Sequence, residues 1–292
     1  MKSQRGGLLR KVVINKSVAW GILCILAVAF WAPASHGSPL KVTIPLADGS
    51  ELAGYSFTPE NPVSNPMPGV VVAANVGGAK LVQYHTYCRN LANRNFSVLL
   101  IDATNFPETL TPGPETWRRM PYHIWAWATH LAVVARLTFG NEWYLQTMQA
   151  AVDHMSRDSR VDPRKIALSG FSQSANAALP FASRDSRIKG VVWNNGGWPW
   201  VMPFDPKKLP PVLIFHGEED GVYNVKYARN LASKLEQAKC ECECYIYPKQ
   251  RHMFNIYFDL NKEGDCANPV LTSSFEHLVN FLNRVFHREV AR

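Results

Sequence analysis

No acidic residue occurs in the first 34 positions, and no long apolar run occurs after them. Between these absences lies a leader. Five basic residues (Lys2, Arg5, Arg10, Lys11, Lys16) precede an uncharged stretch from Val18 to Trp31, and Ala32-Pro33-Ala34 follows as a small-x-small sequence. That order is the three-part layout of a secretory signal peptide, with the cut expected after Ala34 or Gly37. The uncharged stretch is shorter than the ~20 residues that span a bilayer, so an uncleaved anchor is the weaker reading. The expectation is a leader over 1–34 and a mature domain over 38–292, periplasmic or secreted, with no membrane span once the leader is cut.

Basic excess is also scarce outside the leader. The chain has 31 Lys+Arg against 23 Asp+Glu, a net of +8, and taking away the five leader residues leaves 26 against 23, or +3. A nucleic-acid interface needs basic residues gathered on one face, so no nucleic-acid partner is expected. Low-complexity segments and internal repeats are absent. Hydrophobic residues make up 47% and charged residues 18%, an ordinary globular composition that excludes disorder.

Cysteines are few and unevenly placed. Cys24 leaves with the leader, and Cys88, Cys240, Cys242, Cys244 and Cys266 remain. An oxidising compartment predicts disulfides, and an odd count leaves at least one thiol without an internal partner. Cys240, Cys242 and Cys244 alternate along a predicted strand. Neighbours at i, i+2 are ~6.6 Å apart there, near the upper limit for a bridge, so Cys266 is the expected partner. The two-residue gap of zinc motifs is missing, so no metal is expected. Cys88 falls at helical spacing with Leu81, Tyr84 and Leu91, which predicts burial in a helix face.

The rest of the chain alternates. Leu40–Pro45 and Glu51–Thr58 read as strands joined by Asp48-Gly49, a hairpin signal. Buried strands are predicted at Val70–Ala74, Phe96–Ile101, Lys165–Ser169, Ile188–Trp193 and Val212–His216, with a further strand at Cys242–Tyr247. Helices are predicted at Lys80–Arg94, Trp143–Arg157, Gln173–Ser183 and Asn224–Lys239, the last with Asn224 as its cap. A final helix is predicted from Ser274, with Ser273 and Glu276 as a capping box. Apolar strands alternating with helices predict an α/β fold, a mostly parallel sheet covered on both faces, with an antiparallel hairpin at its N-terminal edge. Residues 105–141 break the pattern with four prolines and a run of aromatics. A loop this long predicts a lid or pocket wall.

Gly170-Phe171-Ser172-Gln173-Ser174 leaves a predicted strand and opens an Ala-rich helix. Such a turn holds a serine in a strained conformation with its hydroxyl above the sheet, and it demands small neighbours where strand and helix backbones nearly touch. A serine hydroxyl needs a base, and the base needs an orienting acid. Asp220 follows the strand ending at His216, with Glu218 and Glu219 as rival acids. His252 follows the strand ending at Tyr247. Sites in parallel sheets gather beyond the carboxyl ends of the strands, so Ser172, Asp220 and His252 are expected to converge. Asn194 to Trp200 follow another strand to the same end, and Trp198 and Trp200 are candidate pocket residues.

These motifs, with His216-Gly217-Glu218-Glu219-Asp220 and His252-Met253-Phe254, resemble the α/β-hydrolases, and within them the dienelactone-hydrolase-like serine esterases, over about residues 40–290. The resemblance implies Ser172 as nucleophile, Asp220 as acid and His252 as base. It implies an oxyanion hole from the backbone N–H groups of Gln173 and Val76, with Asn75 as the near alternative and a candidate substrate contact. Ser174 stands where the family usually has a second glycine. Dienelactone hydrolases themselves use a cysteine nucleophile, so dienelactone specificity is not implied. The expected activity is hydrolysis of a small-molecule carboxylic ester without a cofactor. An acyltransferase or peptidase on the same fold, or a non-catalytic binding protein, is the alternative.

Overall fold

In an extended strand, successive side chains point to opposite faces. In β3 (Met67–Ala73) Val70 and Val72 enter one core while Val71 and Ala73 enter the other. In β4 (Ser97–Ile101) Val98 and Leu100 are likewise opposed to Leu99 and Ile101. All eight are buried. Strands stripped of water on both faces require helices on both faces. The computed structural model, which describes residues 39–75, 78–103, 141–197 and 202–287, has them.

The remaining strands are β1 (Leu40–Pro45), β2 (Glu51–Phe57), β5 (Val161–Phe171), β6 (Ile188–Asn194), β7 (Val212–Gly217) and β8 (Cys242–Tyr247). The eight strands form one sheet in the order β1-β2-β4-β3-β5-β6-β7-β8. The β1–β2 and β2–β4 pairs are antiparallel, and all other pairs are parallel. Helix α1 (Val82–Ala92) covers one face together with α6 (Pro269–His287), which follows the single turn α5 (Glu263–Cys266). The other face carries α2 (Asn141–Arg157), α3 (Gln173–Ala182) and α4 (Lys226–Gln237). The fold is that of an α/β-hydrolase. At the hairpin, Gly49 takes φ 84° and the Asp48 carboxylate accepts the Ser50 N–H at 3.0 Å.

Several boundaries differ from the sequence expectation. Strand β5 begins at Val161, ahead of Pro163. Met67 pairs with Val161 and Gly69 with Ile166, so the proline falls in a bulge, where a strand tolerates a missing N–H. Helix α6 begins at Pro269, five residues before Ser274. The Asn268 side chain accepts the N–H groups of Val270 and Leu271 at 3.0 and 3.4 Å, and Pro269 needs no donor in the first turn. The expected capping box is therefore interior helix, and Glu276 instead pairs with Arg94. Asn224 accepts the Lys226 N–H at 3.0 Å, but α4 itself starts at Lys226.

The expected disulfide to Cys266 is not made, and all five described cysteines are free. The sheet separates them. Cys240 and Cys242 pack against the core under α2, α3 and α4, whereas Cys266 packs on the opposite face. Cys88 is fully buried, as expected. Among the described residues no helix is long and apolar enough to cross a membrane.

Candidate active site

Ser172 occupies the turn between β5 and α3 with φ 53° and ψ −117°. This is a costly backbone for a residue with a Cβ, and it persists only where the surroundings hold it. The Asn194 carbonyl at the end of β6 accepts the Ser172 N–H at 2.8 Å. On the strand side, a Cβ on Gly170 would sit 2.7 Å from the backbone of Ala175 and Ser174, so only glycine fits there. Ser174 does more than stay small. Its hydroxyl donates to the Ala74 carbonyl at 2.5 Å, tying the start of α3 to the loop after β3.

Asp220 and His252 come from the ends of β7 and β8. One Asp220 oxygen accepts the N–H groups of Val222 and Tyr223, both at 2.8 Å. The other lies 2.7 Å from His252 Nδ1, and His252 Nε2 lies 3.0 Å from Ser172 Oγ. The three side chains that the motifs single out thus form one hydrogen-bonded line. Ser172 and Asp220 are buried, and His252 is 9% exposed. The rival acids are placed elsewhere: Glu218 and Glu219 are exposed, and Glu218 faces Arg229 at 3.4 Å.

His216 packs beside the acid, as the sequence suggests. It is fully buried, donates from Nε2 to the Tyr223 carbonyl at 2.9 Å, and lies 3.4 Å from Asp220. Burial holds its pKa below the usual histidine range, so the ring is neutral.

Three buried carboxamides behind the line are not apparent in the sequence. Asn255 donates to Asn194 at 2.6 Å and accepts from Asn195 at 3.1 Å. Asn194 donates to Ser169 Oγ and to the Gly170 carbonyl, and Asn195 accepts the Gly217 N–H at 3.2 Å. These bonds fasten the turn after His252 to the ends of β5, β6 and β7. A strand ending in paired asparagines is the only sequence signal, and it reads equally as a turn.

Asn75 is tied to Tyr84 and Met253. The Tyr84 hydroxyl accepts its N–H at 3.1 Å and donates to its Oδ1 at 3.0 Å, while its Nδ2 donates to the Met253 thioether Sδ at 2.7 Å. The N–H named as the alternative oxyanion donor is thus bonded to Tyr84 in this structure. Gln173 opens α3 directly after the serine and is buried. Val76, Trp198, Trp200, the leader and the aromatic segment as far as residue 140 lie outside the described residues.

The chain carries the fold and a serine–histidine–aspartate arrangement of the α/β-hydrolase class. It matches the model of the dienelactone hydrolase family over residues 52–284, and it belongs to that family. Similar solved structures include a dienelactone hydrolase-like promiscuous phosphotriesterase from metagenomic libraries. That protein is 18% identical, with a TM-score of 0.63, over 86% of this chain and 100% of the other. A Pyrococcus furiosus esterase is 12% identical, with a TM-score of 0.59, over 87% and 95%. A Pyrococcus horikoshii acylaminoacyl peptidase is 12% identical, with a TM-score of 0.62, over 97% of this chain but 46% of the other. Identities this low speak for the fold alone. Comparison with curated proteins found no match.

Proposed function

We propose that the protein is a serine hydrolase that cleaves carboxylic esters. The observation that carries this reading is the line from Ser172 through His252 to Asp220, with contacts of 3.0 and 2.7 Å. His252 takes the Ser172 proton as the oxygen attacks the ester carbonyl. Asp220 fixes the imidazole tautomer and stabilises its charged form. The backbone N–H groups of Gln173 and Val76 receive the oxyanion, and each such donor lowers the barrier by about 3 kcal/mol. His252 then protonates the leaving alcohol, and water repeats the cycle to release the acid. No step calls for a metal or an organic cofactor. The serine nucleophile separates this chain from cysteine-dependent dienelactone chemistry, and family membership with esterase-fold neighbours supports the hydrolase class.

The test is hydrolysis of p-nitrophenyl esters of rising acyl length. Ser172→Ala is expected to lose roughly four to six orders of magnitude in kcat with its melting temperature kept. Equal activity in both proteins overturns the nucleophile, and the acyl-length optimum measures the pocket. We also read residues 1–34 as a secretory leader. N-terminal sequencing of the exported protein tests that reading, and a start at Met1 would refute it.

A further inference from the structure

Tyr84 of α1 belongs to no catalytic motif, yet its hydroxyl makes two bonds to one residue of the loop after β3. It accepts the Asn75 N–H at 3.1 Å and donates to Asn75 Oδ1 at 3.0 Å. The polarity of this pair is forced. A backbone N–H can only donate, so a hydroxyl lone pair receives it and the hydroxyl proton goes to the carboxamide oxygen. The carboxamide nitrogen is left for the far side, where it donates to Met253 Sδ. Met253 directly follows His252 and holds the left-handed φ of 59°. Tyr84, Asn75 and Met253 are all buried. One carboxamide therefore joins α1, the loop after β3 and the turn after the base.

The same loop is held at two more points. The Ala74 carbonyl accepts from Ser174 Oγ, two residues beyond the nucleophile, and the Asn75 carbonyl accepts the Gly78 N–H at 2.7 Å. Gly78 has φ 71°, and a Cβ on it would meet Asp102 Oδ2 at 2.7 Å, so glycine closes this turn. The Tyr84 ring stands edge-on to Phe171, the residue before Ser172, with centroids 5.3 Å apart and planes at 82°. Burial raises the Tyr84 hydroxyl well above the ordinary tyrosine range, so the proton given to Asn75 is present at any working pH.

We propose that Tyr84 is a positioning residue for the oxyanion side of the site: through Asn75 it fixes the loop after β3 against both Ser172 and His252. This inference rests on the serine hydrolase reading, in which the next residue, Val76, lends the second oxyanion N–H. A peptide group is planar and trans, so holding the Asn75 backbone sets the direction of the N–H that follows. Tyr84 acts only through Asn75 and exchanges no proton.

Tyr84→Phe removes the hydroxyl and keeps the ring on Phe171. Aligned N–H donors stabilise a developing oxyanion, and sulfur, a weaker acceptor, gains less from them. An ester and its C=S analogue therefore separate donor geometry from other damage. With p-nitrophenyl acetate, kcat is expected to fall roughly three- to thirtyfold, the effect of one or two hydrogen bonds, with KM within about twofold. O-p-nitrophenyl thionoacetate should slow less, so the ratio of the two rates falls with the hydroxyl. Equal slowing of both, or no slowing of the oxygen ester, overturns the proposal. Should Tyr84→Phe fail to fold, the same comparison is made on Asn75→Ala.

A second measurement uses the oxygen ester alone. Asn75→Ala should share the loss, and Tyr84→Phe added to it should cost less than Tyr84→Phe by itself. Full additivity overturns the action through Asn75. A wild type that hydrolyses no ester sinks the hydrolase reading instead. The bridge is then decided in protein labelled with 13C at tyrosine Cζ, where Asn75→Ala is expected to displace one buried-tyrosine resonance and an unchanged spectrum refutes it.

Discussion

His216 is a buried titratable group that takes no part in the proposed chemistry. It faces Asp220, His252, the Tyr223 carbonyl and the Trp193 ring, whose plane lies at 22° to its own. Burial lowers its pKa from 6.5, so the folded protein resists a proton that the unfolded chain accepts. The sign follows. Above about pH 6.5 neither state is charged at this residue, and nothing is lost. As pH falls below that value, the unfolded state gains the proton first and stability declines until the folded pKa is reached. His216→Gln keeps a donor for Tyr223 and removes the titration. Melting temperatures at pH 7.5 and 5.5 are expected to differ more in the wild type than in the variant. His85 and His277 are depressed by burial too, but they act equally in both proteins. Equal slopes would refute the account.

At the scale of elements, the turn Phe254–Tyr257 shows why part of the site was illegible. His252 could be read from its place after a strand, and Ser172 from its glycine and its helix. Asn255 has no such mark, because its partners Asn194 and Asn195 are some 60 residues away in sequence. Asn255→Ala is expected to strand two buried amide groups at a cost of about 1–3 kcal/mol. Urea unfolding measures that loss. With the His252 turn loosened, kcat should fall more than KM rises; a fall in stability alone would make the amides mere packing. The helix boundaries tell a similar story. Ser273 and Glu276 match a capping pattern, but Asn268-Pro269 supplies the cap five residues earlier, and Glu276 is drawn to Arg94 in the turn after α1. Local pattern ranks candidate starts; tertiary contacts choose among them.

At the scale of the whole molecule, fold class was legible because each strand announces its own burial. Strand order was not, since it depends on pairings between distant segments. The cysteines failed for the same reason: the sequence shows their spacing but not the sheet lying between Cys266 and the row at Cys240 and Cys242. A thiol count on urea-unfolded, unreduced protein is expected to give five for a chain that has lost Cys24, and six for one that keeps it. A count of four or fewer would show that bridges form. The two sheet edges also differ from the interior. Strand β1 is largely exposed, and β8 places Glu243 against Arg284 of α6, so both borders carry charge that discourages pairing with another chain.

The frame behind the serine is built from carboxamides, and this has a chemical consequence. Asn194, Asn195 and Asn255 gain and lose no proton in water at any working pH. A frame of histidines or carboxylates would rearrange as it titrated. This one is silent to acid and base, so the spacing between strand ends is independent of the protonation of the residues it holds.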